Sequence, residues 1–329
     1  MIAVRTRAAP RAAALESWSE WQAQLKGRLA DRLRLDLAPQ PVPRLLRRDS
    51  GADAEMERTY LEFESNQGET IPAWLLVPPG REAPGPAVIA VHGHGIGMDA
   101  AVGAGHEGHP DPDDYHQEFA RSLCRRGMVV VAPELTGFGR RREAADIASG
   151  NPAQSSCQVQ GGRGLMIDRP VLGQRIADVL TAFELLASLP MVDPARIGIM
   201  GGSGGGAVSL LAAALDERFR ATVVCNYFST FEASILGVSH CICNFVPGLL
   251  LDAEMSDLAA LIVPRPLLIE SGERDPIFPV AGVRAGHAEL QHSYAMHGAA
   301  DALELDISEA GHQIVGKRAY QFLPARLSA

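Results

Sequence analysis

The chain reads as an α/β fold, with a mostly parallel central sheet, helices on both faces and a helical extension at the N-terminus. Three observations predict this. From Pro86 onward, short apolar runs alternate with longer amphipathic ones, the pattern of strand–helix–strand units. One run, Ile197 to Met200, leads straight into Gly201-Gly202-Ser203-Gly204-Gly205 and then a helix-forming stretch. Hydrophobic residues make up 47% of 329, enough for a large core, yet no run of 18 apolar residues exists to span a membrane.

Residues 11–35 carry Trp18, Trp21, Leu25 and Leu29 at spacings of three and four, which predicts a helix packed on the main domain or on a neighbouring subunit. Pro39 to Pro43 end it. Residues 59–65 and 70–77 form a predicted hairpin around Asn66-Gln67-Gly68. Strands are then expected at 87–91, 128–132, 197–200, 221–225, 266–270 and 303–307, with helices at 115–126, 173–189, 207–215 and 283–297. Two stretches, 137–170 and 227–255, break the alternation. Loops of that length are usually functional or disordered, and both would emerge at the carboxyl end of the sheet, so they are expected to wall a pocket. The organisation that follows is an extension over 1–50 and one catalytic domain over 51–329, with insertions near 137–170 and 227–255.

The net charge of −9 argues against nucleic-acid or anionic-membrane partners and leaves a small molecule as the expected one. Five scattered cysteines, Cys124, Cys157, Cys225, Cys241 and Cys243, do not make a disulfide framework and fit a reducing, cytoplasmic compartment. Residues 1–14 are rich in Arg and Ala without acid, a composition shared with organelle transit peptides but expected by chance here, where only Lys26 and Lys317 among 30 basic residues are lysines. The extension could serve a homo-oligomer.

Gly201 to Gly205 fits G-x-S-x-G in the strand–turn–helix setting that lifts a nucleophilic serine out of its sheet. Gly202 to Ala207 also satisfies a dinucleotide fingerprint, but the next strand candidate ends in Asn226-Tyr227, with no carboxylate for a ribose; no Gly-Lys-Ser/Thr makes a P-loop. Ser203 needs a base and an orienting acid. His312 follows the last strand, and Asp275 follows the strand at 266–270, giving the order Ser, Asp, His. Glu270, Glu273 and Asp301 compete with Asp275, which is preferred because Pro276 fixes a turn that aims it. The backbone N–H groups of His94 and Gly204 are the expected oxyanion donors. His92, His94, His106, His109, Asp111, Asp113, Asp114 and His116 lie within 25 residues, but read as a solvated loop rather than a metal site. Cys241-x-Cys243 has the wrong spacing for the usual zinc pairs and lacks a second pair. No metal and no cofactor is expected.

With these residues placed, roughly 55–325 resembles the α/β-hydrolase superfamily, within it the dienelactone hydrolase, acetyl xylan esterase and prolyl oligopeptidase-like group. The resemblance rests on His92-Gly93-His94-Gly95, Pro133 to Gly139, Asp193 to Gly198, the serine turn, Gly272 to Asp275 and Gly311-His312; His240 to Gly248 resembles a feature of bacterial acetyl xylan esterase-like members. It implies a metal-free Ser203–His312–Asp275 triad. There is no N-terminal β-propeller of the oligopeptidase kind, and the nucleophile is serine where a dienelactone hydrolase uses cysteine. A serine carboxylesterase for small acyl esters, acetyl or sugar esters among them, is therefore expected. A peptidase or amidase and a non-catalytic binding protein are the alternatives.

Overall fold

The computed structural model describes residues 15–51, 53–104, 111 and 113–328. The readings of residues 1–14, His106 and His109 fall outside them. Nine strands form one sheet: β1 (Leu45–Gly51), β2 (Glu57–Glu64), β3 (Thr70–Val77), β4 (Gly85–Val91), β5 (Val129–Pro133), β6 (Val192–Gly202), β7 (Thr222–Cys225), β8 (Leu267–Gly272) and β9 (Leu303–Ser308). Their order is β1-β2-β3-β5-β4-β6-β7-β8-β9. The first three strands and β5 pair antiparallel, and every later pairing is parallel.

The central strands are apolar on both faces, as parallel strands covered twice must be. Ala87, Ile89 and Val91 of β4 face one core, and Val88 and Ala90 the other. The larger core is closed by α1 (Leu15–Leu33), α6 (Val171–Ala187), α7 (Gly204–Leu215), α8 (Met255–Ala260) and α9 (Val280–Met296). The smaller lies under α2 (Met98–Ala101), α3 (Phe119–Cys124) and α10 (Ala319–Leu327). The β4–β5 crossover lies on the smaller-core face and the four later ones on the larger-core face, and because all these pairings are parallel, every strand from β4 onward points its carboxyl end at one edge.

The N-terminal extension is not only helical, because β1 pairs antiparallel with β2 and adds a strand to the sheet. Its all-exposed residues lack the period-two burial that marks a strand in sequence. Helix α1 belongs to the main core: Trp18, Leu25, Leu29 and Leu33 are buried in it. Arg28 and Arg32 reach Asp252 at 3.3 and 2.8 Å, tying the helix to the stretch that follows β7. The helix expected over 115–126 begins only at Phe119, because Gln117 and Glu118 adopt φ of 51° and 48°, outside the helical region. Residues 137–170 carry two short helices, α4 (Ala144–Ala148) and α5 (Cys157–Met166), the second concealed by its glycines. Among the described residues no helix is long and apolar enough to cross a membrane.

Since Leu29 is fully buried, Leu29→Ala is expected to lower the unfolding free energy by about 2–5 kcal/mol in a denaturant titration. A loss under about 0.5 kcal/mol would show that α1 is dispensable to the core.

Candidate active site

The turn from β6 into α7 sets the site. Ser203 sits between them with φ 54° and ψ −124°, a backbone state that non-glycine residues rarely adopt. Its neighbours make room for the strain. A Cβ on Gly205 would collide with the carbonyl oxygen of Val91, and one on Gly201 with the Gly205 carbonyl oxygen. Strand β4 and helix α7 thus touch backbone to backbone, and the Ser203 N–H is fixed by the Cys225 carbonyl at 2.9 Å. The side chain emerges at the carboxyl edge of the sheet, 7% exposed.

Asp275 and His312 meet at that edge. His312 Nδ1 lies 2.7 Å from Asp275 Oδ2. The other carboxylate oxygen accepts the N–H groups of Ile277 and Phe278 at 2.9 and 3.0 Å, so the turn through Pro276 holds the acid by two fixed donors. Glu273 and Asp301 are exposed and take no part. Glu270 does something else: buried in β8, its carboxylate receives the N–H groups of Val315 and Gly316 at 2.9 Å each. With Asn226 Nδ2 donating to the Gln313 carbonyl at 3.0 Å, it fastens the loop that carries His312. Burial pushes the Glu270 carboxyl above its ordinary value, partly offset by those N–H donors.

Ser203 and His312 are spanned by Tyr115, a residue that sequence reasoning assigned to a helix. Its ring centroid is 5.2 Å from that of His312, and its buried hydroxyl lies beside the Ser203 side chain. Among the described residues no hydrogen bond joins Ser203 directly to His312. Links of this kind commonly tighten only when substrate is bound.

The loop after β4 is bracketed by two histidines that are fully buried, not solvated. His116 Nδ1 donates to Asp114 at 2.6 Å, and its Nε2 accepts the Gly93 N–H at 3.0 Å. Burial pushes the His116 imidazolium down, in keeping with that neutral tautomer. His92 Nδ1 donates to the Gly93 carbonyl at 2.8 Å. Gly93 is therefore spent on both sides, whereas the N–H groups of His94 and Gly204 have no hydrogen-bond acceptor among the described residues. A cleft of about 510 Å³, lined by Ile96, Asp99, Arg140 and Arg142 among others, opens beside this loop; Ser203 and His312 do not line it.

One group of metal-capable side chains occurs among the described residues: His94, Cys157, Cys241 and Cys243. The second half that Cys241-x-Cys243 lacks in sequence is brought to it by the fold.

A family model described as acetyl xylan esterase matches residues 116–237. A Bacillus subtilis (strain 168) relative bearing the name "Putative hydrolase YtaP" is 31% identical over 282 residues, spanning 82% of this chain and 89% of its own. Among solved structures, a glucuronoyl esterase from Solibacter usitatus is 14% identical, with a TM-score of 0.70 over 95% of this chain and 94% of that one. Acetyl xylan esterase 1 from Thermoanaerobacterium sp. is 21% identical, with a TM-score of 0.59 over 96% and 99%. The two structures share the fold; the B. subtilis relative shares the sequence across most of both chains. With a strained serine turn on a parallel sheet and that relative beside it, the chain is an α/β-hydrolase and belongs to the family of YtaP.

Proposed function

We propose that this hydrolase is a serine carboxylesterase that cleaves small acyl esters, acetyl esters of sugars among them, through Ser203, His312 and Asp275. The observation that carries the reading is the 2.7 Å link between His312 and Asp275 on the sheet edge where Ser203 is held in its strained turn. The acetyl xylan esterase family match supports the acetyl and sugar-ester class.

Ser203 Oγ attacks the ester carbonyl while His312 takes its proton on Nε2, and the Ser–acyl bond forms as the carbonyl oxygen becomes an oxyanion. The N–H groups of His94 and Gly204 receive that oxyanion, which costs them nothing because neither donates elsewhere. His312 returns the proton to the departing alcohol. A water activated by the same imidazole then releases the acid. Asp275, fixed by two backbone donors, keeps His312 in the Nδ1–H tautomer throughout. Tyr115 lies against both the serine and the histidine side chains. None of the five cysteines is joined to another as a disulfide, which supports a reducing, cytoplasmic setting.

Ser203→Ala is expected to reduce p-nitrophenyl acetate turnover by about 10⁴–10⁶ while the protein stays folded by circular dichroism. A fluorophosphonate probe should label the parent enzyme at Ser203; failure to label would favour a binding role instead. Asp275→Asn should lower kcat by about 10⁴ through the wrong imidazole tautomer, with KM little changed. Cleavage of a peptide panel faster than acyl esters would overturn the ester assignment in favour of a peptidase.

A further inference from the structure

Three thiols and one imidazole face a common point beside the active site, drawn from elements far apart in sequence. His94 comes from the loop after β4, Cys157 opens α5, and Cys241 precedes the 3₁₀ turn Ile242–Asn244 that contains Cys243. The four donor atoms all lie within 4.8 Å of one another. His94 Nε2 is 3.7 Å from Cys157 Sγ and 3.5 Å from Cys243 Sγ. A tetrahedral zinc ion, with Zn–S of about 2.3 Å and Zn–N of about 2.0 Å, puts its ligands roughly 3.5–3.8 Å apart. The two His94 separations match the edges of such a tetrahedron, and the remaining donor pairs lie within 4.8 Å.

A second observation is electrostatic. Arg175 of α6 is 1% exposed, and among the described residues no carboxylate forms an ion pair with it. Its guanidinium donates instead from Nη2 to Cys157 Sγ at 3.1 Å and from Nε to the Thr136 carbonyl at 3.0 Å. Its other face covers the Phe138 ring, which meets His94 edge-on at 5.0 Å. A buried cation facing neutral thiols is uncompensated. Three thiolates around a divalent cation leave one net negative charge, which Arg175 balances.

We propose that His94, Cys157, Cys241 and Cys243 bind one Zn²⁺ in a closed Cys₃His site, with Arg175 as its charge-balancing partner. Soft thiolates and tetrahedral spacing favour zinc over harder divalent ions, and four protein ligands leave no position for substrate. The site is therefore structural. It pins both long insertions to the loop that carries the His94 N–H. Metal on Nε2 also fixes the proton of that imidazole on Nδ1, and this nitrogen faces the Gly204 turn, 3.3 Å from where a Cβ on Gly204 would lie. The assignment stands independently of the ester reading, since it concerns what the chain binds rather than what it cleaves.

The test uses the full chain, expressed in zinc-supplemented medium and purified with reductant and without chelator. Elemental analysis should find about one zinc per chain. Cobalt-grown protein should show the visible bands of tetrahedral Co²⁺ together with sulfur-to-metal charge transfer. Cys157→Ser, Cys241→Ser and Cys243→Ser should each lose the metal, whereas Cys124→Ala, outside the cluster, should keep it. Arg175→Met should weaken zinc binding by about 10–100-fold in competition with a chromophoric chelator. Where a variant fails to fold, the parent protein's zinc content and cobalt spectrum decide. The proposal is overturned if the parent remains metal-free after dialysis against Zn²⁺, if cobalt gives no thiolate charge transfer, or if intact mass under non-reducing conditions shows two of these cysteines joined as a disulfide.

Discussion

The close approach of β4 to α7 is the constraint on which the rest depends. Gly205 lies against the carbonyls of Val91 and His92 so tightly that no side chain fits, and this contact lets the chain reverse at Ser203 without leaving the sheet edge. The same contact brings the loop after β4 alongside the first turn of α7. The residues proposed as oxyanion donors, His94 and Gly204, come from these two elements, which the backbone contact brings together. Every other part of the site is built to hold something against that fixed point.

What does the holding is a set of buried polar groups, most of them paired with backbone donors and acceptors. Glu270 and Asn226 fasten the His312 loop, two backbone amides fasten Asp275, and His92 and His116 clamp Gly93 from either side. Buried groups of this kind are costly if left unpaired, so each pairing selects one loop conformation over its neighbours. The chemistry needs few residues; keeping them at hydrogen-bonding distance needs many more. The insertions add to this, with the Cys157 helix and the Cys241–Cys243 turn packed together through Gly161, where a Cβ would stand 2.7 Å from Ile242.

The sheet was legible because its central strands are continuous apolar runs with turns between them, and β3 falls on residues 70–77, where the hairpin turn at Asn66-Gln67-Gly68 places it. The positions of Ser203, Asp275 and His312 were legible because each follows a recognisable strand. Elements without a period were not. Strand β1 is wet along its whole length, and α5 contains Gly161, Gly162 and Gly164, poor helix formers held by tertiary packing. Tyr115 looked helical until the left-handed turn at Gln117 and Glu118 placed it between serine and histidine. Cys157 and His94 carry no local sign that they meet Cys241 and Cys243, since only folding shortens those separations. The histidines near residue 92 looked solvated because composition cannot distinguish a polar loop from a buried clamp.

Strand β1 has a consequence for how copies of the protein meet. It forms one border of the sheet and pairs on one side only, which leaves a row of main-chain donors and acceptors open to any extended segment that drifts past. Arg47, Arg48 and Asp49 occupy the middle of that ribbon, all exposed, and Arg47 bridges to Asp49 along the strand. Docking a second ribbon there would strip water from these charges, so the border resists stacking into fibrils even though its backbone invites it.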